Sequence, residues 1–266
     1  AQGEYYLTDI IRMAVEQGLT CAAHPVSDPL EIMGINDRVQ LAQAETVLRK
    51  RINETLMRDG VSFRDPSATY IDNGTLIGRD TVVYPGVHIS GRSKIGEECV
   101  IEPGAVIRGC HIGNRVLVKA GSVLEDSVIH DAVAIGPMAH LRPGTELMEE
   151  VKIGNFVETK KITMGKGSKA SHLTYLGDAS VGSDVNIGCG TITCNYDGVS
   201  KHRTVIEDGV FVGSDVQFVA PVTVGRNSTI AAGSTVTKDV PPDSLAIARS
   251  HQVNKEGWKR KTRDKE

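Results

Sequence analysis

Aromatic side chains are scarce: Phe, Trp and Tyr together make up 4% of the 266 residues. That disfavours a core built around large aromatic plugs and favours thin layers with many tight turns, as the 28 glycines also do. A large excess of charge of one sign is missing too, with a net value of −3, which argues against a bulk nucleic-acid or membrane-surface binder. There is no signal peptide and no uninterrupted apolar span, so the expectation is a soluble chain. Cysteine is sparse and odd in number: Cys21, Cys99, Cys110, Cys189 and Cys194, with no CxxC. Neither a disulfide framework nor a zinc site is indicated, and a reducing, cytoplasmic setting fits best. The chain does not start with Met but directly in AQGEYYLTD, which reads as a fragment or a processed product.

What is present is a period of six. An aliphatic residue recurs at Ile77, Val83, Ile89, Ile95, Ile101 and Ile107. After the loss of one residue the series resumes at Ile112, Val118 and Leu124, and after another slip at Ile129, Ile135, Leu141, Leu147 and Ile153. It is clean again over Ile206, Val212, Phe218, Val224, Ile230 and Val236. Gly commonly follows, as in IGRDTV, IGEECV and IGNFVE. This spacing predicts a mainly β protein, a parallel β-helix of hexapeptide repeats. Each hexad makes a short strand and a turn, three hexads close one triangular coil, and each coil contacts only its neighbours.

The first part differs. TDIIRMAVEQG reads as a helix with Thr8 as N-cap and Gly18 after its end, and TCAAHPV as a short strand. INDRVQLAQAETVLRKRINETLMRDG reads as a longer, charge-rich helix ended by Gly60, a linker or arm. The expected organisation is residues 1–36 as the end of a larger domain, 37–60 as linker helix, 61–245 as β-helix and 246–266 as tail. The tail, KEGWKRKTRDKE at its end, reads as a solvated C-terminus.

One stretch breaks the economy of the repeat. SKASHLTYLGD admits Lys169, His172 and Tyr175, three apart, where small and aliphatic residues suffice. Counting from Ile153, the inward register runs through Thr159, Met164, Ala170, Leu176, Val181 and Ile187. His172 lies two places after Ala170 and therefore points out of the prism. A lone histidine is usually structural or merely exposed, but its neighbours here are chemically consistent. Within two or three coils lie Arg142, Glu158, Lys160, Asn186, Asn195, Tyr196 and Lys201. Arg142, Lys160 and Lys201 suit a phosphate, Arg by its planar fork and Lys as a point charge. Glu158 is the candidate for tuning or orienting His172, and a neutral imidazole suits taking a proton from an ammonium nucleophile. Lys169 is read as part of a solvated face. NYDGVSKHR, residues 195–203, does not continue the repeat and reads as a loop leaving the prism, where solenoids commonly carry their binding function.

QGEYYLTDII, GINDR, LRPGTEL, KIGNFVETKK, GKGSKASHLTYLGD, VNIGCGTITCNYDG, FVGSD, APVTVG, TIAAGSTVT and KEGW together resemble one family. It is the bacterial bifunctional N-acetylglucosamine-1-phosphate uridylyltransferase/glucosamine-1-phosphate N-acetyltransferase family, and the likeness covers essentially the whole chain. The resemblance implies a left-handed β-helix, against the usual right-handed crossover rule, and a homotrimer with active sites between subunits. It implies acetyl transfer from acetyl-CoA to glucosamine 1-phosphate without a metal, with His172 as catalytic base. Sugar-phosphate contacts then fall on Arg142, Lys160, Tyr175 and Asn186. Acetyl-CoA contacts fall on Asn195, Tyr196, Ser214, Ala232 and Arg249, and on Cys189, where the family is expected to have Ala. The uridylyltransferase domain would precede Asn36, which matches a metal (magnesium) and nucleotide-sugar ligand there. Its acidic partner and the Gly-rich nucleotide loop are absent from the chain, so no uridylyltransferase activity is expected of it.

Two other readings compete. A metal-dependent hydratase of the γ-carbonic anhydrase type needs histidines at close spacing, yet no two of the eight His here lie within nine residues. A purely trimerising scaffold leaves His172, NYDG and the phosphate-type cations without a purpose.

Overall fold

The computed structural model describes residues 6–259. Residues 1–5, which open the QGEYYLTDII stretch, and 260–266, which end the basic tail, lie outside the described residues. Two compact units are distinguished, Ala1–Leu48 and Arg49–Glu266.

The second unit is a parallel β-helix of about 10 turns. All named strands pair in parallel, each with the strand one coil away. Val82 pairs with Val100, Val100 with Leu117, and Leu117 with Ala134. The coil therefore consumes 18 residues in some turns and 17 in others. The one-residue slips in the hexad series fall at single corners, at Gly109, Asp126, Lys161 and Asp178, all with positive φ. Every aliphatic position of the series is buried, and Phe218 is the largest side chain inside. The prism is narrow, so a column of Ile, Val and Leu fills it.

The glycine after each inward residue has a steric cause. At Gly96 a Cβ would lie 2.5 Å from the Gly113 carbonyl oxygen of the next coil. Only a residue without a side chain allows the backbones to stack so closely. Most buried hydroxyls find partners across coils; among the described residues Thr75 and Thr204 Oγ1 do not. Ser168 Oγ donates to the Gly182 carbonyl at 2.7 Å and accepts the Val185 N–H at 2.8 Å. Thr159, which takes an inward position, shares a hydrogen bond of 2.9 Å with Thr145. Such satisfied pairs let polar residues enter the prism without the cost of unpaired burial.

Helix α1 covers Asp9–Glu16 and helix α2 covers Arg38–Arg58, as their periodicity predicts. Thr8 precedes α1 but makes no side-chain capping bond. TCAAHPV is not a strand: residues 20–26 carry no regular structure, because an isolated strand without a ladder partner is not stable. The end of α2 is more than a linker. Leu56 joins the core, and Asn53 Nδ2 donates to the Pro66 and Thr69 carbonyls at 2.8 and 3.1 Å. That packing covers the open first coil, which would otherwise present unpaired strand edges. No helix among the described residues is long and apolar enough to cross a membrane.

Candidate functional site

Two long strands, Lys152–Met164 and Lys169–Val181, run around two corners of the prism in adjacent coils. Their register sets Asn155 beneath His172, Glu158 beneath Tyr175 and Lys160 beneath Gly177. His172 is exposed, as its place after inward Ala170 requires. Its Nδ1 lies 2.9 Å from Asn155 Oδ1.

The stack continues past His172 at the same corner. Cys189 stands one coil on, and its carbonyl accepts the Asp215 N–H at 2.7 Å, which brings Ser214 over it. The Ser214 carbonyl accepts the Gly233 N–H at 2.9 Å, next to Ala232. The Arg249 guanidinium donates to the Ala232 carbonyl. Asn155, His172, Cys189, Ser214 and Ala232 thus form one ladder up a single corner, met at its end by the Arg249 guanidinium. Their sequence spacing is uneven because coils differ in length and the 195–203 loop is inserted between two of them.

A second group gathers on the neighbouring face. Arg142 lies one coil before Lys160, its N–H donating to Thr159 O at 2.9 Å. Arg142 Nη1 donates to Glu158 Oε1 at 2.8 Å. Lys160 is held below the ordinary lysine range, first by its contact with Lys201, then by the charges of Lys201 and Arg142. Three cations therefore converge, with Glu158 on Arg142 and Asp178 acting against the lowering at Lys160, an arrangement with the charge to attract an anion. Around the corner, Lys201 also borders an open cavity of about 350 Å³ with Lys161, Arg203, Asp178 and Thr163.

Gly177 makes room between the groups. A Cβ there would lie 2.3 Å from the Tyr175 hydroxyl and 2.9 Å from Asn195 Nδ2, so both side chains lean over this glycine. Asn195 is buried and donates to Asp178 Oδ2 at 2.5 Å. The loop leaves the prism where expected. Tyr196 pairs with Lys201 across it, and the Tyr196 hydroxyl donates to the Gly198 carbonyl at 2.6 Å. Asp197 accepts the Val199 and Ser200 N–H groups and contacts the His202 ring, which holds its carboxyl well below the usual range. Asn186 is half-buried, one coil on from Lys169 and across the corner from the His172 ladder.

The expectation for Glu158 needs correcting. Glu158 is bound to Arg142, and the partner of His172 is Asn155. Both acceptors sit on the same strand, but the corner between them turns Glu158 onto the cationic face. Sequence reasoning missed Asn155, although one coil length before His172 is where such a partner must stand. Asn36 belongs to the first unit, where its N–H donates to Gln40 Oε1 at 2.6 Å. Among the described residues no three side chains of His, Cys, Asp or Glu come together as a metal would need.

Fold and site together define a β-helix of hexapeptide repeats with an exposed histidine between an anion-type site and a corner ladder. Residues 74–109 and 203–238 match the family described as bacterial transferase hexapeptide (six repeats). The chain is 73% identical over 261 residues to the bifunctional protein GlmU of Geotalea uraniireducens, covering 98% of this chain and 57% of that protein. To the bifunctional protein GlmU of Geobacter metallireducens it is 71% identical, covering 99% of this chain and 59% of that one. Among solved structures, a UDP-N-acetylglucosamine acyltransferase from Campylobacter jejuni is similar with TM-score 0.49 and 17% identity, over 70% of this chain and 71% of that one. The chain is a relative of the bifunctional GlmU proteins, as its motifs imply, and spans 57% of the length of the first of them.

Proposed function

We propose that this chain transfers an acetyl group from acetyl-CoA to the amine of glucosamine 1-phosphate, giving N-acetylglucosamine 1-phosphate for UDP-N-acetylglucosamine synthesis. One observation carries the reading: the ladder from His172 to Ala232, met by Arg249, stands beside the Arg142, Lys160 and Lys201 cluster. Those three cations hold the sugar phosphate, with Tyr175 and Asn186 on the sugar. Acetyl-CoA lies along the ladder over Cys189, Ser214 and Ala232, with Arg249 toward its phosphates and Asn195 and Tyr196 beside the thioester.

With Asn155 Oδ1 as acceptor, His172 Nδ1 carries the ring proton and Nε2 presents its lone pair. Nε2 takes a proton from the substrate amine as its nitrogen forms a bond to the thioester carbon. The tetrahedral intermediate then breaks its C–S bond, and the CoA thiolate leaves and is protonated. Asn195 keeps one amide N–H beyond the bond to Asp178, a donor for the developing oxyanion. No step requires a metal.

Residues 1–36 fit the end of a uridylyltransferase domain, 37–60 its linker helix, 61–245 the acetyltransferase β-helix and 246–266 the tail. Uridylyl transfer, with magnesium and Asn36, belongs to the longer protein. The working form is a cytoplasmic homotrimer in which neighbouring subunits complete each site. The test is one assay: the purified chain mixed with glucosamine 1-phosphate and acetyl-CoA, with free thiol followed over time. Release of thiol that depends on the sugar phosphate supports the reading. Tight trimers without turnover would favour the scaffold instead.

A further inference from the structure

The His172 imidazole has a single hydrogen-bond partner among the described residues, and that partner is neutral. On its own strand the nearest ionisable residues are Lys169 and Tyr175. The strand beneath carries Lys152, Glu158, Lys160 and Lys161, the coil above carries Cys189, and the next carries Asp215. None of these is hydrogen-bonded to the imidazole, and Glu158 is taken up by Arg142 at 2.8 Å. Asn155 and His172 are register partners in adjacent coils, so their contact is fixed by the ladder itself. A side chain held by the packing of its backbone loses little further freedom on orienting a neighbour.

We propose that Asn155 is the positioning residue for His172, fixing the Nδ1–H tautomer through a neutral amide while Glu158 serves Arg142. The inference rests on the acetyl-transfer reading of His172 for its purpose, but its physical content does not. An amide oxygen selects the tautomer as a carboxylate does, yet adds no negative charge to favour the protonated ring. The base is thereby aimed by a neutral group. An aspartate at the same place would aim the ring equally well and raise its pKa.

The experiment is an NMR titration of the imidazoles in ¹⁵N-histidine-labelled chain, with His172 assigned through His172→Gln. The expected result is an Nδ1–H tautomer for neutral His172. In Asn155→Asp the titration midpoint should move up by about one unit. In Glu158→Gln it should move far less, and in Asn155→Ala the tautomer preference should weaken. A neutral ring protonated on Nε2, or a midpoint unmoved in Asn155→Asp, would overturn the proposal. These readouts need no turnover, so they stand apart from the acetyl-transfer assay. In that assay the acidic limb for Asn155→Asp should move up with the titration. For Asn155→Ala, kcat should fall roughly ten-fold or more while KM for the sugar phosphate changes little. Full kcat in Asn155→Ala would count against the positioning role.

Discussion

Arg142 Nη1 meets Glu158 Oε1 at 2.8 Å across adjacent coils, with both side chains near 40% exposed. The pair is diagonal: Arg142 stands in the column of Lys160, and Glu158 in the column of Tyr175. A carboxylate inside a cationic cluster keeps the guanidinium oriented before any anion arrives. Exposed pairs of this kind contribute about 0–1 kcal/mol to stability, so the pair matters for orientation more than for holding the fold.

Glu158→Gln should therefore leave thermal unfolding nearly unchanged and raise KM for glucosamine 1-phosphate. Arg142→Lys should raise it further, because the planar fork is lost. KM for acetyl-CoA should move far less in both. Steady-state kinetics with each substrate varied in turn checks this, and equal effects on the two substrates would argue for a structural role.

Gly177→Ala tests the space between the two substrates. The added Cβ meets the Tyr175 hydroxyl, the end of a half-buried side chain that can swing away, and the Asn195 amide, which is buried and must give up its bond to Asp178 to move. The prism should fold, with an unchanged circular dichroism spectrum. Both KM values should rise if, as proposed, Tyr175 faces the sugar and Asn195 the thioester. A selective loss for one substrate would mean that only one of the two side chains yields.

Much of this was legible in the sequence, for a physical reason. A hexad fold writes its core into the chain at fixed intervals, so the inward residues from Ile77 to Val236 can be read from the sequence alone, and they are buried. The outward direction of His172 followed from the same count. Contacts between coils were harder to read, because they depend on 17- or 18-residue turns and on a corner between two acceptors. Hence Glu158 was expected on His172 where Asn155 stands, and the His172–Ala232 ladder was hidden by its uneven spacing. The packing of α2 on the first coil was equally invisible, since only the open end of the prism requires it. TCAAHPV failed as a strand because composition cannot supply a ladder partner.

The cysteines should separate by reactivity. Burial pushes the Cys110 thiol up to about 11 and raises Cys99 as well, while Cys21 is exposed and Cys189 and Cys194 are half-buried. Iodoacetamide at neutral pH should label Cys21 first, Cys189 and Cys194 more slowly, and Cys99 and Cys110 only after unfolding. A folded thiol pKa above the unfolded value of about 8.5 also sets a sign. Above that pH the unfolded chain has lost the proton that the folded chain keeps, so stability declines as pH rises toward 11. Mass spectrometry of labelled peptides and denaturant melts at pH 8 and 10 check the two statements.

The loop rests on Asp197. Its carboxylate accepts the Val199 and Ser200 N–H groups at 2.8 and 2.6 Å and contacts the His202 ring at 2.7 Å. These contacts, the Ser200 amide foremost, hold its pKa well below the usual carboxylate range. The folded value lies below the unfolded one, so the contribution is complete above about pH 4 and is lost only as pH falls through the lower, folded value. The loop should keep its shape across the whole neutral range. Lys201 is carried by that loop and stands against Lys160, so the loop's shape reaches the anion site. Asp197→Asn removes the charge and puts an amide NH2 where Oδ2 meets the His202 ring, while the one remaining oxygen still accepts the Val199 and Ser200 N–H groups. The expected outcome is faster protease nicking within residues 195–203 and a raised KM for glucosamine 1-phosphate, with prism unfolding unchanged. Restored nicking resistance when the sugar phosphate is added would tie loop order to the anion. Unchanged nicking and unchanged KM would mean that the loop is held by the Tyr196–Lys201 pairing and not by Asp197.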